Sequence, residues 1–182
     1  MGRRNYEQME FAHAYGLYLP KRTMIIGAVE AGEFAKVQMN LLILSQSPDP
    51  VTIILNCDGG SAIDGLAIFG AISGLANHVT IHVRGEASSM GAVILQAGDH
   101  RSADPEAVLM LHDGVDGAGE KHCRDFERQG EESRRTREEM YGLFAARTGH
   151  DKAYFRRKLA RDWYLTAPEA MKEGLIDEVC RR

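Results

Sequence analysis

Five short, mostly apolar runs constrain this chain more than any other feature: Thr23 to Gly27, Val51 to Leu55, Val79 to Val83, Ala107 to Leu111 and Leu175 to Val179. Several are rich in β-branched residues, which suits strands covered on both faces. Segments of helical length separate the first three. Phe34, Val37, Leu41 and Leu44 recur at spacings of three and four, so they form one stripe of a helix that ends near the breaker Ser47-Pro48-Asp49-Pro50. A second helix is expected after Gly59-Gly60-Ser61, ending by Ala76-Asn77. Strands alternating with helices imply parallel pairing through right-handed crossovers, and hence an α/β fold.

Composition narrows the class. At 182 residues and 44% apolar content the chain can bury one continuous core, so one domain is expected. A formal charge of −4 and a pI near 6.0 give no electrostatic reason to expect nucleic acid or an anionic membrane surface. Cys57, Cys123 and Cys180 lie far apart, without a Cys-x-x-Cys pair, and an odd number cannot all pair within one chain. A reducing compartment, the cytoplasm, fits that pattern. The first ten residues carry two arginines but no apolar run of secretory length, and nowhere do about 18 apolar residues run together to span a membrane.

Between Glu120 and Glu139 the chain changes character, with 13 of 20 residues charged. A long solvated helix over about 120–147 follows, whose distal half docks through Met140, Tyr141, Leu143 and Phe144 while the charged half projects or meets a partner subunit. Thr166-Ala-Pro-Glu169 reads as a capping box opening the last helix, with Gly174 placed as its C-terminal cap. This puts Asp162 on the segment just before a well-defined helix.

The chemistry centres on Gly85-Glu-Ala-Ser-Ser-Met-Gly-Ala92. Val79 to Val83 reads as strand, Arg84 to Ser88 as a turn and Met90 to Ala97 as an apolar helix, so Ser89 lies at a helix N-terminus. There the helix dipole favours a developing anion and free backbone N–H groups can receive it. A plain N-cap role for Ser88 or Ser89 is the competing reading. His112 ends a strand, where a side chain can reach a crevice beside neighbouring strand ends. With Asp162 downstream, a serine, a histidine and an aspartate supply the three groups of nucleophilic acyl transfer. Asn56-Cys-Asp-Gly-Gly-Ser61 is a second strand-to-helix junction whose N–H groups could complete an oxyanion hole, a plain tight turn being the alternative. It matches no phosphate-binding loop. His78 and His82, four apart on a strand, stand about 13 Å from each other, too far to chelate one metal. His122-Cys123 has no further ligands at a usual spacing.

Asn56-x-x-Gly59-Gly60-Ser61, Ala87-Ser-Ser-Met-Gly-Ala92, Met110-Leu-His112 and Arg161-Asp-Trp-Tyr-Leu-Thr-Ala-Pro-Glu-Ala170 with Gly174-Leu-Ile-Asp177 resemble, in order, the signatures of the Clp protease proteolytic subunit family, ClpP. The resemblance covers roughly residues 20 to 180. It implies a crotonase-like α/β fold, a superhelix of repeated ββα and βαβ units with a projecting long helix, formed by one peptidase domain over 23–182 behind an N-terminal segment, 1–22. It also implies two stacked heptameric rings around a chamber, in which unfolded polypeptides delivered by an AAA+ unfoldase are cut. Carried over residue by residue, the nucleophile falls on Ser89, the general base on His112 and the orienting acid on Asp162. The oxyanion donors fall on the backbone N–H groups of Gly60 and Met90, and no metal or organic cofactor is required. Gly114, Val115 and Gly117 lie where the family pairs a substrate strand by β-augmentation, which reads backbone more than side chains.

Two of these motifs depart from the family pattern. Asp58 stands where the family has proline, beside a loop meant to bind an oxyanion, and Asp113-Gly114 replaces Gln-Pro after the histidine. Asp113 thereby becomes a rival to Asp162 as the imidazole's partner. Two other functions fit the same residues. A degenerate ring subunit would keep the fold without cutting. An α/β-hydrolase-type esterase would order its triad Ser89, Asp125, His150, since Ala87-x-Ser89-x-Gly91 nearly matches that fold's nucleophile elbow.

Overall fold

The computed structural model describes residues 16–114 and 123–180, with side chains in the long helix described from Arg128 onward. Its strands are β1 (Leu17–Tyr18), β2 (Thr23–Ile26), β3 (Val51–Cys57), β4 (Val79–Ser88), β5 (His100–Ala103), β6 (Val108–Leu111), β7 (Trp163–Thr166) and β8 (Glu178–Val179). The helices are α1 (Glu33–Leu44), α2 (Ala62–Ser73), α3 (Met90–Leu95), α4 (Cys123–Thr148), α5 (Lys152–Lys158) and α6 (Ala167–Lys172), with a 3-10 turn at Leu19–Lys21. The result is a mixed α/β architecture around a central sheet.

The sheet runs β1-β2-β3-β4-β5-β8, and β6 and β7 branch from the far end of β4. Pairing is parallel through its centre, as the alternation of runs predicts, and antiparallel at β1–β2 and β6–β7. The branch exists because β4 is ten residues long. Its first half pairs with β5 and its second half, Glu86 to Ser88, with β6. The turn expected over Arg84 to Ser88 is therefore strand. Gly85 bends the backbone at φ 97°, and the Asn56 side chain fills the gap in the ladder by accepting the Glu86 N–H at 3.1 Å. A left-handed residue at the bend lets the strand change neighbours without ending.

Three strands escaped the sequence pattern: β1, β5 and β7. Of the run Leu175 to Val179 only the last two residues are strand, although Leu175 and Ile176 are buried. The second helix stops at Ser73, short of Ala76. The first helical stripe is as expected, with Val37, Leu41 and Leu44 buried against the sheet. Glu169 accepts both the Thr166 N–H at 2.8 Å and its hydroxyl at 2.7 Å, closing the predicted capping box, and Gly174 follows at φ 73°.

The long helix docks its distal half, where Met140, Tyr141 and Phe144 are buried. Phe144 stacks on Phe155 of α5 with ring centroids 5.4 Å apart. Phe155 is fully buried, so its truncation leaves a cavity that neighbouring aromatics cannot refill. Phe155→Ala is expected to lower the unfolding free energy by about 3–5 kcal/mol, read as a reduced denaturant midpoint. The C-terminal segment is tied down by Arg101, whose guanidinium meets Asp177 at 2.5 and 3.1 Å. Burial opposes ionisation there, but these contacts hold the Asp177 carboxyl below its ordinary range.

Candidate active site

Sheet register brings the three singled-out residues together. β4 and β6 pair in parallel through Ser88 and Met110, and the Ser89 N–H donates to the Met110 carbonyl at 2.8 Å. β6 and β7 pair antiparallel through Leu111 and Trp163. One residue beyond each pairing lie Ser89, His112 and Asp162, so three adjacent strand ends present them side by side. His112 Nε2 lies 2.8 Å from Ser89 Oγ, and His112 Nδ1 lies 3.7 Å from Asp162 Oδ1. The first distance is a hydrogen bond; the second is an ion-pair distance, about one ångström longer. The histidine side chain is 17% exposed and the aspartate 58%.

Ser89 is the single residue joining β4 to α3, at φ 53° and ψ −119°. A non-glycine residue in that region is strained by about 1–3 kcal/mol, and such strain collects where a side chain must be aimed. Ser89 occupies the N-cap position of α3, yet its side chain makes no cap hydrogen bond. Its hydroxyl faces His112 instead. Ser88 is buried and its hydroxyl donates to Glu86 Oε2 at 2.8 Å, which separates the two adjacent serines. All six residues of α3 are buried, so the helix start is held from behind. First-turn amides have no partner within a helix, and the Met90 N–H, next in the chain after Ser89, belongs to that first turn.

The second junction lies across from Ser89. The Val29 N–H donates to Gly59 O and the Ser61 N–H to Val29 O, both at 2.7 Å, and between these two bonds Gly60 sits at φ 131°. A Cβ on Gly60 would stand 2.1 Å from the Val29 carbonyl oxygen, so no other residue fits. Asp58, two residues before Gly60, is exposed. Beneath this loop Cys57 is buried as a free thiol, and burial pushes its pKa up to about 11. Such a thiol is an inert neighbour of the site.

A cleft of about 420 Å³ opens from Ser89 and Gly60 toward the long helix. Met90, Val93, Leu111, Met140 and Phe144 form its apolar lining, and Glu132, Ser133, Thr136 and Arg137 of α4 add polar groups to it. The charge of this stretch predicts a solvated or partner-facing stripe, and these four residues instead line the cleft. Ser133, Arg137, Met140 and Phe144 fall at helical spacing, a signal that identifies one face but not what it faces. Gly114 lies at the cleft edge with φ 88°, while Val115 and Gly117 fall outside the described residues.

The remaining candidates are engaged elsewhere. His150 pairs with Glu173 at 3.2 Å and stacks on Tyr154 at 3.9 Å, so the alternative triad order is not assembled at Ser89; the Asp125 side chain lies outside the described residues. His82 lies between Ser102 and Asp104 at 2.9 and 3.0 Å, and His78 faces Asp99 at 3.8 Å. Asp113 accepts a hydrogen bond from the Tyr141 hydroxyl. Among the described residues no group of three or more His, Cys, Asp or Glu side chains could hold a metal ion, and no helix is long and apolar enough to cross a membrane.

Comparison with known proteins bears on this arrangement. The family model described as Clp protease matches residues 6–182. A curated relative, the ATP-dependent Clp protease proteolytic subunit of Deinococcus radiodurans, is 31% identical over 183 residues, covering 98% of this chain and 86% of its own length. A family match over nearly the whole chain, carried by a relative of similar length, places this protein in the Clp protease family.

Proposed function

We propose that this protein is a serine endopeptidase of the ClpP type that hydrolyses unfolded polypeptide. The observation that carries the reading is the 2.8 Å contact between Ser89 Oγ and His112 Nε2 at a strained strand-to-helix junction. Ser89 attacks the scissile carbonyl while His112 takes its proton and returns it to the leaving amine. Asp162 orients the ring and stabilises the imidazolium. Its 3.7 Å separation shortens when the histidine becomes charged, since catalytic hydrogen bonds tighten along the reaction. The N–H groups of Gly60 and Met90 receive the oxyanion, and water hydrolyses the acyl-enzyme by the same steps in reverse. Every group required is a side chain or a backbone amide.

Substrate pairs in extended form along Gly114, Val115 and Gly117, giving low sequence specificity, with one side chain in the apolar part of the cleft. The fold is the crotonase-like superhelix, one domain over 23–182 behind the segment 1–22. Subunits form two stacked heptameric rings in the cytoplasm, α4 contributes to the contact between rings, and an AAA+ unfoldase delivers substrate. Asp58 does not argue for a degenerate subunit, because its carboxylate is exposed and water screens its charge from the oxyanion.

Steady-state cleavage of a short fluorogenic peptide tests the assignment. His112→Ala is expected to reduce turnover to background and His150→Ala to leave it within about threefold, because His112 touches Ser89 whereas His150 pairs with Glu173. Asp162→Asn is expected to lower kcat by about 100- to 10,000-fold, a smaller loss because the orienting group does not itself react. Equal losses for His112→Ala and His150→Ala would sink this assignment.

A further inference from the structure

Two carboxylates flank His112. Asp162 approaches Nδ1 at 3.7 Å, and Asp113 is the next residue in the chain. Imidazole chemistry prefers neither: whichever acceptor reaches Nδ1 fixes both the tautomer and the ring orientation. Strand geometry does not keep them apart either. β6 ends at Leu111, and Gly114 turns the chain immediately after Asp113. What separates them comes from α4, where the Tyr141 hydroxyl donates a short hydrogen bond to Asp113 Oδ1.

Tyr141 is only 3% exposed. Its helix is fixed on either side, by the stacking of Phe144 on Phe155 and by Arg156, which reaches Glu138 at 2.7 Å and lies 6.0 Å over the Tyr141 ring. Burial and the bond to Asp113 both push the phenol's pKa up, so it stays a protonated donor. We infer that Tyr141 is a positioning residue: by holding the Asp113 carboxylate against the long helix, it keeps that group off His112 and leaves Nδ1 to Asp162. The inference rests on the roles of Ser89, His112 and Asp162 proposed above. Without Tyr141, Asp113 turns onto Nδ1 and draws Nε2 away from Ser89 Oγ. Docking of the long helix and alignment of the catalytic base are then one event.

Tyr141→Phe removes one oxygen atom and keeps the ring. For the short peptide its kcat is expected to fall about tenfold with KM within about twofold, the signature of an interaction that acts on the transition state. Asp113→Ala added to Tyr141→Phe is expected to recover most of that loss, because deleting the competing carboxylate makes its restraint unnecessary. Lost packing would show no such rescue. In a crystal structure of Tyr141→Phe, the Asp113 carboxylate is expected within hydrogen-bond distance of His112 Nδ1. An unchanged kcat, a double variant as slow as Tyr141→Phe, or an Asp113 that does not move overturns the inference. So does loss of the fold that Asp113→Ala fails to relieve, which would leave Tyr141 a structural role alone. The crystal structure reads the carboxylate whether or not the protein turns over, so absence of Ser89-dependent cleavage in the wild type is distinguishable as failure of the proposed peptidase chemistry.

Discussion

Ser89→Ala is expected to lower kcat for peptide cleavage by about 10⁵- to 10⁶-fold while the protein remains folded. The size follows from the role, since without the hydroxyl no acyl-enzyme forms and only the oxyanion donors and substrate binding continue to act. The substitution removes one hydrogen bond, to His112, and leaves the backbone of the junction as it was. Its effect on unfolding free energy is therefore expected to stay within about 1 kcal/mol. Because the serine and histidine act as a unit, Ser89→Ala combined with His112→Ala is expected to be no slower than either alone. Additive losses in that pair, measured by steady-state kinetics, would mean that the two residues do not share one reaction step.

The second large effect lies in the backbone opposite. Gly60→Ala places a methyl group where the Val29 carbonyl oxygen now sits, 2.1 Å from it, at a φ of 131° that alanine resists. The loop must move, and with it go the two 2.7 Å bonds joining Val29 to Gly59 and Ser61. A loss of about 2–4 kcal/mol in unfolding free energy is expected from strain and broken buried hydrogen bonds together. Turnover is expected to fall by about 100- to 1,000-fold, as when one oxyanion donor is removed. Gly70→Ala is the matched control. It lies inside α2 with no atom within 4 Å of the added carbon, and is expected to be neutral or stabilising by up to about 1 kcal/mol. Denaturant midpoints and peptide kinetics on both variants separate the effect of the site from that of any added methyl.

Local chemistry was legible in the sequence where it carries its own geometry. The Thr166–Glu169 capping box and the Phe34 to Leu44 stripe depend on spacing within one helix, and both stand where spacing puts them. Ser89, His112 and Asp162 could be singled out by residue type and by the kind of junction each occupies, although they lie up to 73 positions apart in the chain. Their juxtaposition was not legible, because it depends on the register of β4, β6 and β7. That register depends in turn on a bend at Gly85 that looks like the end of a strand. β7 is four residues long and pairs antiparallel, so the parallel pattern of the longer runs gave no hint of it. The bond between Tyr141 and Asp113 was invisible for a similar reason, since the rotation of α4 about its axis is set by contacts with Phe155 and Arg156 of a different helix. The charged run of α4 gave the helix but concealed that one of its faces lines the cleft.

Activation of Ser89 as a nucleophile is the central claim, and covalent labelling reads it without a known substrate. A fluorophosphonate probe reacts with a serine whose hydroxyl is paired to a base and faces an oxyanion hole. Incubated with the intact protein and mapped by peptide mass spectrometry, the probe is expected on Ser89 in the wild type and nowhere in His112→Ala. A folded wild-type protein that takes up no label, or takes it up on Ser88 or any other serine, would contradict the account.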